Sequence, residues 1–405
     1  MELKTELLQA LAKEYGTPLY IYNGDLVLKR LRELYASFHW KKLRLHYAMK
    51  ANYCPAILKL LCQQGAGIDA VSPGDVILAT RCGFSAERIL FTANNITDSE
   101  MKRVHKMGVL FNIDSLSRLE KFGSAFPGAE VCLRFNPDVV AGENEKIQTA
   151  GALTKFGILL EQLPETLAIV QRYQLKVVGL HKHTGSSIKD AALFVQAMQN
   201  LLGLAKPEFF PHLRFVDFGG GFAVPYRPEE QVIDYAAVGK QIVACFTAFC
   251  DGFGRELELC FEPGRYLVAE AGLLVTAVNT LKNNKGRLIA GTDSGFPQLI
   301  RPVLYDAYHQ ISNLSNPSGG IYVYDICGNI CESGDRFASD RPLPEIREGD
   351  LLAIHNAGAY CYAMGGIYNL RPMPAEVMVL KGRAALIRRR LTEEELVRGI
   401  LMECE

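Results

Sequence analysis

Residues 43–71, LRLHYAMKANYCPAILKLLCQQGAGIDAV, contain one full cycle of the pattern that decides the fold. Leu43–Met49 is an apolar, β-rich run. Pro55–Gln64 has helical spacing and opens on a proline, which suits a first helical turn. Gly67–Val71 is a second β-rich run. The same alternation continues to about residue 262, with runs at Arg88–Thr92, Val109–Ile113, Glu130–Phe135, Val177–His183, Leu213–Phe218 and Leu257–Phe261. Helical segments at Pro73–Cys82, Ser99–Met107, Pro164–Tyr173, Ala191–Leu202 and Asp234–Phe249 lie between them. Ser72-Pro73 and Thr97-Asp98-Ser99 supply helix starts, and Gly83 and Gly108 supply stops. The runs are continuously apolar rather than alternating, as strands buried on both faces are. Eight such strands with intervening helices predict a closed (β/α)8 TIM-like barrel; a doubly wound open sheet is the other arrangement they allow.

After Gly264 the rhythm changes. Leu273–Leu281, Arg287–Thr292, Gly320–Ile326, Leu351–His355, Glu376–Leu380 and Arg383–Arg388 read as strands joined by Gly, Pro and Asp turns. That pattern predicts a second, all-β C-terminal domain. A strand at Thr17–Tyr22 precedes the barrel and is expected in the same sheet, and Thr392–Leu401 is expected to be a helix with a Glu-rich first turn. The expected division is a barrel over 30–270 and a β-rich domain over 1–29 plus 271–405.

Composition narrows the function classes. The chain has 405 residues, too many for one ordinary core. Lys plus Arg and Asp plus Glu both total 44, so no net field favours nucleic acid or an anionic membrane. There is no run of 18 apolar residues, and Met1–Glu6 lacks the basic-then-apolar pattern of a signal peptide. The 11 cysteines are odd in number and scattered, which suits reduced thiols in a cytoplasmic protein. Cys327 and Cys331 have no second Cys or His pair nearby, so no metal site is expected.

In a barrel of this type, catalytic groups sit at the carboxyl ends of the strands. Those ends carry Lys50, Asp69, Arg134, His183, Gly219-Gly220-Gly221 and Glu262-Pro263-Gly264-Arg265. A lysine there is a candidate Schiff-base nucleophile if burial or charge tunes its amine, though on its own it also reads as a solvated strand-end lysine. The triple glycine lets backbone N–H groups approach an anion, and by itself it also reads as a flexible turn. Gly264-Arg265 adds open backbone and a guanidinium suited to phosphate, and Ser186 adds a hydroxyl. Neither a GxxxxGK[ST] loop nor a GxGxxG turn after the first strand is present. A lysine, a phosphate cup and a strand-end carboxylate together suggest pyridoxal 5'-phosphate. Lys50 meets its aldehyde, the glycines and Arg265 its phosphate, and Glu262 its ring nitrogen. His183 is placed to cover one ring face, or to be an ordinary hydrogen-bonded strand-end histidine.

The stretches Tyr47–Asn52, His181–Ser186, Gly219–Gly221, Glu262–Arg265, Cys331-Glu332-Ser333-Gly334-Asp335 and Gly358-Ala359-Tyr360 resemble those of the fold-type III pyridoxal-phosphate decarboxylases. The resemblance covers nearly the whole chain with the motifs in order, and it is strongest toward the branch acting on diaminopimelate. It implies a (β/α)8 barrel with a β-sandwich-like C-terminal domain. Lys50 is then the Schiff-base lysine, His183 stacks on the ring, and Ser186, Gly220 and Arg265 hold the phosphate. Glu262 pairs with the pyridine nitrogen, Asp69 and Gly264 complete the cofactor site, and Tyr360 also reaches the cofactor. Arg301-Pro302-Val303-Leu304-Tyr305 matches a segment whose arginine and tyrosine bind the distal end of the substrate. Cys331 and Glu332 match a pair that the family supplies from the neighbouring subunit of a homodimer.

Two departures are visible. Ser72-Pro73-Gly74-Asp75 replaces a usual Ser-Gly-Gly-Glu, and Met364–Pro372 carries small residues where the family has a Met-x-x-x-Tyr-Asn-x-Arg-Pro pattern. The expected reaction is decarboxylation of meso-2,6-diaminopimelate to L-lysine and CO2, the last step of lysine biosynthesis. The catalytic set is Lys50, His183 and the proton donor Cys331; Arg265, Arg301, Tyr305, Glu332 and Tyr360 contact the substrate. The rivals are a relative acting on ornithine, lysine, arginine, carboxynorspermidine or a siderophore precursor, and a catalytically silent homologue that only carries the cofactor. The Gly-rich, charged loop between Val139 and Gly151 is a candidate lid.

Overall fold

The computed structural model describes residues 3–137, 154–185 and 191–401. The chain forms two compact units. One comprises Arg30–Ala223 with Ile233–Tyr266, and the other Met1–Lys29, Val224–Val232 and Leu267–Glu405.

Among the described residues, the barrel of the first unit has eight parallel strands: β1 (Leu43–Ala48), β2 (Gly67–Ala70), β3 (Ile89–Phe91), β4 (Leu110–Ile113), β5 (Glu130–Asn136), β6 (Lys176–His181), β7 (Phe215–Asp217) and β8 (Glu258–Phe261), and the two-residue strand Ile158–Leu159 pairs beside β5. Each barrel strand pairs with the next, and β8 returns to β1 through Leu259↔Leu43 and Phe261↔Leu45. The ring is therefore closed, which removes the open-sheet alternative. Its interior is packed rather than hollow. Leu90, Cys132, Val178, Phe215 and Cys260, on five different strands, form one buried cluster with Leu110 against it. The apolar runs are continuous because both strand faces are covered, by this interior and by the surrounding helices.

Local chemistry starts the helices where the sequence suggests. Ser72 Oγ accepts from Asp75 N–H at 3.1 Å, and Asp75 Oδ2 in turn accepts from Val71 N–H at 2.9 Å. The Ser-Pro-Gly-Asp departure thus builds a working helix cap. Thr97 and Glu100 form a reciprocal capping box at the head of Asp98–His105.

The second unit is built on a sheet ordered Arg336–Pro344, Ile321–Cys327, Arg287–Thr292, Gly272–Asn284, Leu19–Asn23, Ala375–Leu380, Arg383–Arg388. Leu351–Ile354 and Ile311–Asn313 join it beside Gly272–Asn284. The N-terminal strand does more than join this sheet. Leu19–Asn23 lies at its centre, buried throughout, antiparallel to Gly272–Asn284 and parallel to Ala375–Leu380. Helix Thr5–Tyr15 covers it through Leu8, Leu11 and Ala12. Two features differ from the sequence reading. Arg336–Pro344 is a nine-residue strand whose prolines, Pro342 and Pro344, read as breakers; it sits at the sheet edge, where a missing N–H breaks no ladder. Arg301–Tyr305 is a short helix within the otherwise β-rich stretch. Thr392 caps the C-terminal helix Glu393–Ile400 with Glu395. Among the described residues, no helix is long and apolar enough to cross a membrane.

Candidate active site

The carboxyl ends of the barrel strands gather most of the expected side chains. Lys50 lies in a single turn, Met49–Ala51, immediately after β1. Its Nζ is 2.6 Å from Asp69 Oδ2. Asp69 is fully buried near the end of β2, whereas the lysine side chain is 40% exposed. The amine is thus presented at the barrel mouth and anchored from below by a carboxylate.

Glu262 follows β8 and is 4% exposed. Its Oε2 is 3.1 Å from His181 Nε2, while its buried Oε1 has no hydrogen-bond partner among the described residues. Arg134, on β5, is buried with its guanidinium 4.8 Å from the Phe156 ring centroid. Burial, and then the carboxylates of Asp69 and Asp217, push the Glu262 carboxyl well above its ordinary value; Lys50 and Arg134 oppose this.

The triple glycine forms a turn tied to three strands. Gly219 N–H donates to Asp217 Oδ1 at 2.8 Å, and Gly220 N–H donates to His183 Nδ1 at 3.0 Å. Glu262 N–H donates to the Gly219 carbonyl at 2.9 Å. Because His183 Nδ1 accepts, its ring proton in this arrangement is on Nε2. Burial, and then Arg134 and Lys50, hold the His183 pKa well below its ordinary value, which favours the neutral ring. Gly219 has φ +70°, and a Cβ there would sit 2.6 Å from His183 Nδ1; at Gly220 it would sit 2.6 Å from the Glu262 carbonyl oxygen. Only glycine allows this close approach of three backbones. Gly220→Ala is accordingly expected to cost about 1–3 kcal/mol of stability and to weaken cofactor retention roughly tenfold or more. Thermal melting and cofactor titration of the variant check both.

Gly264 is buried, and Arg265, also buried, opens the helix Arg265–Val268. Ser186 and the loop between Val139 and Gly151 lie outside the described residues.

The remaining expected residues belong to the second unit. Arg301 is buried at the head of its helix. Its Nη1 is 2.9 Å from His309 Nε2, and His309 Nδ1 is 2.8 Å from the His355 carbonyl. A carbonyl can only accept, so Nδ1 carries the proton and Nε2 receives from the arginine. The Tyr226 ring lies beneath the guanidinium at 4.5 Å. Tyr305, half-buried, ends the same helix. Cys331 and Glu332 are exposed on a loop fixed by Asp335, which accepts from Phe296 N–H at 2.7 Å and Ile330 N–H at 2.8 Å. Cys331 Sγ is 3.3 Å from Asn369 Oδ1, and Tyr368 Oη donates to Glu332 Oε1 at 3.0 Å. Tyr368 and Asn369, the Tyr-Asn of the Met364–Pro372 segment, therefore supply partners of the Cys-Glu pair. Tyr360, half-buried, has φ +58°, a conformation that costs a non-glycine residue energy and often marks a functional position.

Three residues of the barrel site escaped the sequence reading: His46, His181 and Asp217. His46 Nδ1 lies 3.3 Å from Asp217 Oδ2. His181, Asp217 and Glu262 bring one ligand-type atom each within 4.8 Å of one another. A usable signal existed, since Asp217 interrupts an apolar run and His181 precedes His183 by two positions, the strand period.

These groups fit pyridoxal phosphate. A presented amine, a glycine cradle that a side chain would fill, and a buried carboxylate oxygen lacking a hydrogen-bond partner among the described residues match the aldehyde, phosphate and ring nitrogen. The comparison with known families agrees: residues 25–269 match the model of the "pyridoxal-dependent decarboxylase, pyridoxal binding domain". The chain belongs to the pyridoxal-dependent decarboxylases. This decarboxylase is 41% identical over 401 residues to a diaminopimelate decarboxylase of Methanothermobacter thermautotrophicus, covering 96% of this chain and 92% of the relative. It superposes on a crystal structure of diaminopimelate decarboxylase with a TM-score of 0.92 at 33% identity, covering 99% and 97% of the two chains. The Helicobacter pylori diaminopimelate decarboxylase complexed with L-lysine gives a TM-score of 0.90 at 30% identity, covering 97% and 99%. The cofactor of this decarboxylase is pyridoxal 5'-phosphate, and its barrel has the fold of those relatives.

Proposed function

We propose that this enzyme removes CO2 from meso-2,6-diaminopimelate to give L-lysine. The observation that carries this reading is Arg301, a buried guanidinium held rigid by His309 and Tyr226. An arginine fixed in this way suits a carboxylate at the far end of an amino acid, a group that ornithine and lysine lack. The names of the relatives support the same substrate.

When bound, pyridoxal phosphate supplies the electron-accepting ring that stabilises the charge left by departing CO2. The protein's own groups do the rest. Lys50 offers its amine to the cofactor aldehyde. The Gly219–Gly221 turn, Ser186, Gly264 and Arg265 hold the phosphate, and Asp69 anchors the lysine. His183 covers one ring face, and Glu262 keeps the ring nitrogen protonated. Tyr360 contacts cofactor and substrate, and Arg265 and Tyr305 assist in substrate binding. Glu332 meets the distal ammonium while Arg301 takes the distal carboxylate. Cys331 returns a proton to the α-carbon, a task within the reach of a thiol. Cys331 and Glu332 are exposed on their own chain, which supports their acting in a site shared within a homodimer, with the β-rich domain supplying both substrate and interface residues.

Turnover measured on meso-diaminopimelate, ornithine, lysine and carboxynorspermidine tests the proposal. A clear preference for meso-diaminopimelate is expected. Equal or higher rates on any of the others would sink the substrate assignment, and no turnover of any would favour the catalytically silent homologue.

A further inference from the structure

Asp217 closes β7 with a wholly buried carboxylate, and several features of the site converge on it. Its Oδ1 accepts from Gly219 N–H at 2.8 Å, a side-chain turn that shapes the first residue of the glycine cradle. Its Oδ2 lies 3.3 Å from His46 Nδ1. On its other side stand His181 and Glu262, the three offering donor atoms within 4.8 Å of one another. Glu262 Oε1 is buried and without a hydrogen-bond partner among the described residues. We propose that Asp217 is a positioning residue with two tasks: it shapes the phosphate cradle through Gly219, and its negative charge, added to burial and Asp69, helps keep a proton on Glu262 until the cofactor docks. The second task rests on the reading of Glu262 as the partner of the ring nitrogen.

The groups facing Glu262 are Asp69 from β2, Arg134 from β5, His181 from β6, Asp217 from β7 and Lys50 after β1. Three carboxyl groups in one dry pocket cannot all ionise. Asp69 is paired with Lys50. Burial alone would raise Asp217, but hydrogen bonds from His46 and Gly219 hold it below its ordinary value. Burial pushes His181 down to about 3, so it stays neutral and puts no positive charge between the two acids. The remaining proton therefore belongs to Glu262. On docking, its O–H bond breaks and an N–H bond forms at the ring nitrogen. The product is a carboxylate facing a cation, and no proton is drawn from water.

Asp217→Asn separates the two tasks, because it keeps an acceptor for Gly219 and removes the charge. Asp217→Ala removes both. Calorimetric titration of cofactor-free protein with pyridoxal phosphate, in two buffers of different ionisation enthalpy, counts the protons exchanged. Asp217→Asn is expected to take up measurably more protons than the parent protein, up to about one, with affinity changed by less than about threefold. Asp217→Ala is expected to lose affinity about tenfold or more, both for the cofactor and for inorganic phosphate. Infrared spectra of the cofactor-free parent protein at neutral pH should contain a protonated-carboxyl band that Glu262→Gln removes. Absence of that band overturns the charge effect, and this comparison decides the matter even if Asp217→Asn does not fold. Equal proton uptake by parent and Asp217→Asn also overturns it. Unchanged phosphate affinity in Asp217→Ala overturns the cradle task. A Glu262 band that persists after cofactor binding would overturn the proton delivery, and with it the reading of Glu262 as ring-nitrogen partner.

Discussion

Lys50→Ala is expected to lower decarboxylation by on the order of 10⁴-fold even with excess cofactor, while leaving the barrel folded. Among the described residues, the lysine is the amine presented at the carboxyl end of β1. Structurally it matters far less. Its side chain is 40% exposed and its ion pair with Asp69 spans 2.6 Å, so solvent screens the lysine end of what is lost. Removing it leaves the buried Asp69 carboxylate without this partner and should cost about 1–3 kcal/mol. A thermal melt and steady-state turnover measure the two effects separately, and a partial return of activity with added small amines is expected. A variant within tenfold of the parent enzyme would remove Lys50 from the chemistry. Mixed with a Cys331→Ala variant, Lys50→Ala should regain turnover if the two residues serve one site from different subunits.

Arg301→Met is the second large effect. Methionine keeps much of the volume of the arginine stem and discards its charge. The guanidinium is buried, donates to His309 Nε2 at 2.9 Å and rests on Tyr226, so it is prepaid in orientation before any ligand arrives. Truncating one member of a buried, hydrogen-bonded charge pair costs about 2–5 kcal/mol. That corresponds to a fall in kcat/KM for meso-diaminopimelate of roughly 30- to 5,000-fold. Lysine, without the distal carboxylate, should lose little or nothing, so discrimination between the two collapses. Measuring kcat and KM on both amino acids tests this. An equal loss on both would make Arg301 a structural residue rather than the carboxylate clamp.

The elements of the fold were legible because strand and helix periodicity are properties of short windows. Leu43–Met49 became Leu43–Ala48, and Arg287–Thr292 and Ala191–Leu202 appear with the bounds expected of them. Arg336–Pro344 was not legible, because whether a proline breaks a strand depends on whether it lies at a sheet edge. In the same way, the strand at residues 19–23 announced itself locally, but its place between Gly272–Asn284 and Ala375–Leu380 did not.

The site divides along the same line. The sequence by itself determined which chemical groups are available, and at which strand ends: the amine of Lys50, the carboxylate of Glu262, the glycines at 219–221, the guanidiniums of Arg265 and Arg301. Residue type and local pattern are enough for that. Only the tertiary structure decided who touches whom. His46 meets Asp217 across 171 residues of chain, His309 fixes Arg301, and one oxygen of Glu262 faces His181 while the other is left without a hydrogen-bond partner among the described residues. The physical reason is that proton placement and charge orientation depend on distances of a few ångströms between distant strands. Those distances follow from barrel closure and register, which no local window contains.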